Sequence, residues 1–258
     1  MPDAYETFLQ DLRRRKGLDL TGYKRPQMER RINSLMRGLK IEDYTGYLDL
    51  LQKEIKHWRK FLDTLTINVS EFYRNPPQWQ VLETKIVPDL IRNSNSLRIW
   101  SAGCSTGEEP YTLAMVLMQN FRNLNFSVTA TDIDDEVLNK ARAGNYNDKA
   151  VANLPKHYLS KYLRQQETTY TVTDEVKKKV KFSKQNLLKD VFDINYDLIL
   201  CRNVVIYFTE QSKAYLYRRF YEALKSGGVL FTGSTEQIFQ AREIGYSLVS
   251  SFFYKKEQ

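Results

Sequence analysis

Two glycines four positions apart, Gly103 and Gly107, followed at once by Glu108 and Glu109, are the residues of this sequence whose types and spacing most clearly suit chemistry. They close an apolar stretch, Leu97-Arg-Ile-Trp-Ser-Ala102, and a second apolar stretch further on, Val128-Thr-Ala-Thr-Asp132, ends in an acid. A strand running into glycines and then a helix lets backbone approach a ligand closely, and an acid at the end of the next strand suits a ribose diol. A dinucleotide site would carry G-x-G-x-x-G, and here a pyrophosphate would meet two carboxylates at the helix N-terminus where it needs positive potential. S-adenosylmethionine (SAM) is a nucleoside without phosphate that carries an ammonium and a positive sulfonium. Anionic side chains would help to hold it.

The elements that must position these residues can be read from periodicity. Tyr5, Phe8, Leu9 and Leu12 recur at helical spacing until Gly17, and Ile55, Trp58, Leu62 and Leu65 do so again, so the first seventy residues read as a helical module. From Trp79 a further helical stretch to Leu90 leads into strands alternating with helices, the pattern of a mostly parallel sheet. Strands are expected at 97–102, 127–131, 181–184, 197–201 and 229–233, with one last strand at 248–254. The β-formers between Lys161 and Lys181 fall outside that alternation and read as an inserted antiparallel element.

Composition narrows the function classes. The chain has 258 residues and a net charge of +8, which suggests an acidic partner without saying which kind. The charge has a place: from Pro26 onward Met28, Ile32, Leu35, Met36 and Leu39 share one helical face, Arg30 and Arg37 point away from it, and Arg31 and Lys40 flank the basic side. That face reads either as a docking surface for something acidic or as a solvated charged face. Two cysteines, Cys104 and Cys201, make no disulfide framework, and His57 and His157 stand in no metal-ligand spacing, so no metal is expected. No signal-peptide succession and no apolar run of membrane-spanning length is present, so a cytoplasmic protein without direct membrane insertion is expected.

Four long segments, Thr66-Ile-Asn-Val-Ser-Glu-Phe-Tyr-Arg-Asn75, Trp100-Ser-Ala-Gly-Cys-Ser-Thr-Gly-Glu-Glu-Pro-Tyr-Thr112, Cys201-Arg-Asn-Val-Val-Ile-Tyr-Phe208 and Gly233-Ser-Thr-Glu-Gln237, resemble the bacterial chemotaxis receptor methyltransferase family, CheR. The resemblance spans nearly the whole chain. It implies an α/β protein in which a helical N-terminal receptor-docking domain and linker (1–75) precede a Rossmann-like SAM-dependent methyltransferase domain (76–258), with a small antiparallel β-subdomain inserted at about 160–182. The implied activity is methyl esterification of glutamate side chains on the cytoplasmic helical domain of chemotaxis receptors, with S-adenosylhomocysteine as the other product.

The resemblance also assigns positions. Asn68, Ser70 and Arg74 match linker residues at the cofactor or active site, although Asn68-Val-Ser70 read locally as helix-ending chemistry. Ala102, Gly103, Glu108 and Asp132 match the glycine-loop and ribose contacts, in agreement with the residue types. Asn186 and Leu187 match the adenine neighbourhood, their local reading being a strand-end turn. Arg202, Asn203 and Val204 follow a strand and should emerge at the carboxyl end of the sheet, where open α/β folds bind ligands. Arg74 and Tyr207 are the residues expected to carry the chemistry, core packing being the alternative for Tyr207. Arg30, Arg31 and Arg37 are the expected receptor-docking residues.

Partners follow from the same comparison. Some family members grip a C-terminal receptor pentapeptide with a glycine-bearing loop of the β-subdomain, but this chain has no glycine between Gly144 and Gly227, so docking without that tether is expected. Asn75-Pro-Pro-Gln78 superficially resembles a base-gripping motif of nucleic-acid methyltransferases but lacks its strand and its aromatic stacker, so no nucleic acid is expected. A SAM-binding scaffold without turnover remains the other class. The protein is expected to act as a monomer recruited to membrane receptor arrays.

Overall fold

Aspartates and prolines start the N-terminal helices where the apolar periodicity begins. Asp3 accepts a bond from the Glu6 amide (2.9 Å) to open α1 (Ala4–Lys16), which Gly17 ends in the left-handed conformation at φ 69°. Pro26 lies in the first turn of α2 (Arg25–Gly38), Asp43 caps α3 (Tyr44–Lys53) through the Gly46 amide, and α4 (Ile55–Thr66) follows. Their apolar faces, among them Phe8, Leu12, Ile32, Tyr47, Leu51 and Phe61, close on one core.

The computed structural model describes residues 3–66 and 70–257 and divides into two units. The helical unit comprises 3–66 together with Tyr207–Ala214, and the sheet unit comprises 70–206 and 215–257. The later segment joins the helices by backbone pairing: Lys24 N donates to Tyr207 O (2.9 Å), Thr209 N donates to Gly22 O (2.9 Å), and the Tyr23 and Phe208 rings meet edge to face.

Ten strands build the sheet unit: β1 (Ser96–Ala102), β2 (Asn125–Asp132), β3 (Asn145–Asn147), β4 (Leu163–Gln166), β5 (Thr169–Val172), β6 (Val180–Lys184), β7 (Tyr196–Cys201), β8 (Leu224–Thr232), β9 (Tyr246–Ser250) and β10 (Phe253–Lys256). Seven form one sheet in the order β6-β2-β1-β7-β8-β10-β9, parallel from β6 to β8 and antiparallel beyond. The chain leaves β1 for β2 on one side and reaches β7 on the other, so β1 marks the switch point outside whose carboxyl end ligands bind. Ile99, Trp100, Leu198, Ile199 and Leu200 are buried, as strands covered on both faces must be.

The remaining three strands make a small antiparallel sheet, β3-β5-β4. Two of them come from the stretch singled out for its β-formers, and the third, Asn145–Asn147, lies ahead of it. The single last strand expected at 248–254 is instead a hairpin, β9 and β10, because the chain reverses at Phe252, a non-glycine residue at φ 68°. The expected helical stretch from Trp79 to Leu90 is a run of short helices with a π-helical segment at Leu82–Ile86. No helix among the described residues is long and apolar enough to cross a membrane.

Candidate active site

At the end of β1 the backbone turns without room for a side chain. Ala102 is fully buried, and Gly103 follows at φ 78°, where a methyl group would lie 2.5 Å from Val204 Cγ2. The amides of Gly103 and Cys104 both donate to Thr131 O at the end of β2 (2.8 and 2.9 Å), which pins the glycine loop to the neighbouring strand. Gly107, at φ 95°, then starts the helix Glu108–Asn120, and a methyl there would lie 2.9 Å from Ala141 Cβ.

Two buried carboxylates face this loop. Glu108 accepts from the Thr106 hydroxyl (2.7 Å) and from Ser70, and burial raises its pKa above the ordinary glutamate value. Asp132 accepts from the amides of Ser105 (2.8 Å) and Asp134 (3.1 Å), and burial raises its pKa too, against the pull of those bonds. Among the described residues no basic side chain pairs with either. The amide of Gln185 donates to Asp132 O (2.9 Å), bringing the turn after β6 to the same place. In that turn Asn186 Oδ1 accepts from Leu188 N (2.9 Å), and Leu187 is buried.

Glu109 is used differently from Glu108. It accepts from the Ser101 hydroxyl (2.8 Å) and from Arg202 Nη1 (3.3 Å), and burial dominates in raising its pKa. Arg202 follows β7 with its side chain only 2% exposed. Its Nη2 donates to Arg74 O (2.9 Å), Asn75 Oδ1 (3.1 Å) and Gln78 Oε1 (2.9 Å), and the guanidinium packs on the Trp79 and Phe231 rings. The segment it grips has two non-glycine residues in the left-handed region, Tyr73 at φ 55° and Asn75 at φ 60°. Such a backbone persists only when its surroundings over-determine it. Trp79 Nε1 donating to Arg74 O (2.9 Å) and Tyr73 N donating to Thr112 Oγ1 (3.0 Å) complete the hold, and the half-buried Arg74 side chain lies within the field of Glu109.

These residues fit a cationic nucleoside. The glycine loop has no space for a Cβ, so backbone lines the cradle. Glu108 and Asp132 are desolvated carboxylates whose partners among the described residues are hydroxyls and amides. A ligand bringing hydroxyls to one and positive charge near the other supplies what the protein does not.

Comparison with known proteins decides the family. The family description "CheR methyltransferase, SAM binding domain" matches residues 68–251, and "CheR methyltransferase, all-alpha domain" matches 3–66. The chain belongs to the CheR methyltransferase family. It is 37% identical to a chemotaxis protein methyltransferase of Listeria innocua over 98% of this chain and 97% of that one. Proteins of the same description from Borreliella burgdorferi and Escherichia coli are 37% and 35% identical, covering 93% and 86% of this chain and 89% and 80% of theirs. This CheR chain is thus a SAM-dependent methyltransferase, and SAM is its cofactor.

Within the CheR sheet unit, Ser70, Arg74, Ala102, Gly103, Glu108, Asp132, Arg202 and Val204 are linked through the contacts above, Asn186 and Leu187 lie in the turn that Gln185 ties to Asp132, and Asn203 stands between Arg202 and Val204 after β7. Asn68 lies outside the described residues. Tyr207 belongs to the helical unit, half-buried at the end of a 3-10 turn, with the Arg31 guanidinium 5.0 Å from its ring centroid. Arg31 also donates to Leu65 O (2.6 Å) and so is engaged within its own unit, whereas Arg30 and Arg37 are exposed. The sequence offers Glu109 to a cationic ligand together with Glu108 and gives Gln78 and Glu236 no role of their own, whereas in the structure Glu109 and Gln78 both hold Arg202. The doubled glutamate after Gly107 was a signal for the first, since adjacent helical residues point in different directions and take different partners.

Proposed function

We propose that the enzyme transfers the methyl group of SAM to glutamate side chains on the cytoplasmic helical domain of chemotaxis receptors, forming glutamyl methyl esters for sensory adaptation. The observation that carries this reading is the likeness of both units, helical as well as catalytic, to proteins named chemotaxis protein methyltransferase. SAM, when bound, supplies an electrophilic methyl carbon on a positive sulfur and leaves as S-adenosylhomocysteine.

The chain's own residues bind and orient. Gly103 and Ala102 offer backbone, Asp132 accepts from the ribose hydroxyls, Asn186 presents its amide nitrogen to the adenine edge, and Leu187 covers the adenine face. Glu108, with the Ser70 hydroxyl on its carboxylate, supplies negative charge for a cationic group. Asn203 and Val204 close the opposite wall, and Arg202 contributes through its backbone while its guanidinium holds the Arg74 segment. A receptor glutamate, with a reference pKa near 4.3, is ionised at neutral pH and needs no general base. Arg74 orients that carboxylate, and Tyr207 is the second residue assigned to the chemistry.

Arg30 and Arg37 steer an acidic receptor helix to the helical unit, in the cytoplasm at receptor arrays. Docking without a pentapeptide tether belongs to the same proposal, since the β4–β5 hairpin turns at Glu167 (φ 53°) rather than through a glycine-bearing loop.

The test is incubation with radiolabelled SAM and either receptor cytoplasmic fragments or DNA, followed by alkaline treatment. Base-labile label on the receptor is expected; label on DNA, or none, overturns the assignment. At saturating SAM, Arg74→Ala and Tyr207→Ala should each lower turnover about 100-fold. Unchanged turnover in both would remove them from the chemistry.

A further inference from the structure

Glu236 is a buried carboxylate that the cofactor reading leaves without a role. It lies in the turn after β8, only 3% exposed, and its partners are backbone amides. Oε2 accepts from Asn203 N (2.6 Å) and Gly233 N (2.8 Å), Oε1 accepts from Ile206 N (3.2 Å), and the Val204 amide adds a fourth bond. Amides from two separate loops thus converge on one anion, the arrangement of an anion nest turned inward on the protein's own side chain.

The geometry around it leaves no slack. The Glu236 amide donates to Gly233 O (2.9 Å), folding the carboxylate back over the turn. A methyl at Gly233 would strike Glu236 Oε2 and lie 2.8 Å from Asn203 N. Asn203 itself sits at φ 61°, a conformation that needs outside support, and its neighbour Val204 is the residue against which Gly103 packs. Three loops, those after β1, β7 and β8, are therefore set against one another.

We propose that Glu236 is a positioning residue for the cofactor site: its carboxylate gathers the amides of 203–206 into the turn that sets Asn203 and Val204 against the glycine loop. This rests on the reading that Asn203 and Val204 border SAM. The carboxylate accepts at both oxygens. A glutamine accepts at one and turns an NH2 donor towards amides that are themselves donors.

The experiment compares wild type, Glu236→Gln, Glu236→Asp and Tyr254→Phe. The last removes the hydroxyl that accepts from Ile238 N (3.0 Å) at the far end of the same loop and serves as a control for lost stability. Two quantities are measured: S-adenosylhomocysteine affinity by calorimetry, and hydrogen exchange of the Asn203 and Ile206 amides. Glu236→Gln should speed that exchange at least about tenfold and weaken binding about tenfold, with Glu236→Asp between it and wild type. Tyr254→Phe should leave both quantities near wild type.

Wild-type affinity alone tests the cofactor reading, whereas the exchange rates and the variant-to-wild-type ratios test Glu236. Wild-type exchange in Glu236→Gln, or a loss of affinity no greater than that of Tyr254→Phe, overturns the proposal. Should Glu236→Gln fail to fold, Glu236→Asp with wild-type affinity and exchange overturns it equally.

Discussion

The two units use arginine in opposite ways. In the helical unit Arg25 meets Asp3, Glu6 and Glu29 at the surface, and Arg30 and Arg37 stand in solvent. In the sheet unit Arg202 is withdrawn from water and spends its donors on Glu109 and three acceptors of the 74–78 segment. Exposed pairs exchange one set of water contacts for another and contribute little, while a buried pair has lost its water and depends on its partners. Charge on the helical unit is therefore suited to encounter, and charge in the sheet unit to holding a geometry.

The largest effect should come from breaking the buried side of this contrast. Arg202→Met strands Glu109 as an unpaired buried carboxylate and releases the strained Tyr73–Asn75 backbone, at a cost of about 3–5 kcal/mol. Thermal unfolding should register it as a fall of roughly 10 °C, with methyl transfer lost as Arg74 loses its seat. Arg202→Met combined with Glu109→Gln should recover part of the stability and none of the activity. Arg25→Ala, which opens three surface pairs, should barely move the melting temperature. Equal losses for Arg25→Ala and Arg202→Met would erase the distinction between the units.

The same contrast explains what could be read from the sequence. The strand–glycine–helix succession and the acid ending β2 were legible because a tight backbone turn admits few residue types and announces itself in Gly103, Gly107 and Asp132. The helical unit was legible because apolar residues at 3.6 spacing have one stable arrangement. The β9–β10 reversal was not, since Phe252 takes a left-handed backbone that no residue type in Ser250-Ser251-Phe252 signals. Nor were the inward roles of Arg202 and Glu236. A charged residue after a strand looks the same in sequence whether it meets ligand or backbone, and only the folded partners tell them apart. Tyr207–Ala214 joining the helices is of the same kind, because backbone pairing at Lys24 and Gly22 leaves no side-chain signature.

An intermediate effect is expected at Glu108, which among the described residues has no cation partner such as Glu109 has in Arg202. Its pKa is raised in the fold, so its contribution to stability is present at low pH while it is protonated and is lost as pH rises through the folded value. Above its folded pKa the ionised carboxylate therefore opposes folding, and Glu108→Gln should there raise the ligand-free melting temperature by about 3 °C, with the gain shrinking as pH falls through that value. On the proposed cofactor role of Glu108, affinity for SAM should drop about tenfold in the same variant. A variant that is stabilised but binds SAM as well as wild type would show that Glu108 serves the turn and not the cofactor.

The smallest effect, and the one that most sharpens the contrast, lies on the exposed face of α2. Arg30 and Arg37 are exposed, so Arg30→Glu with Arg37→Glu should leave melting temperature, SAM affinity and turnover at saturating receptor unchanged. Encounter with an acidic receptor helix is another matter. Its KM should rise about fivefold at low salt, and the gap should close as ionic strength approaches 0.5 M, where the screening length falls to about 4 Å. Arg31 differs from both, since its guanidinium is engaged by Leu65 O and the Tyr207 ring; Arg31→Glu should lower turnover at saturating receptor through Tyr207, an effect that salt does not remove. Salt thus separates an arginine that steers from one that braces. A salt-independent rise in KM for the Arg30 and Arg37 variant would move those residues from encounter into the bound contact itself.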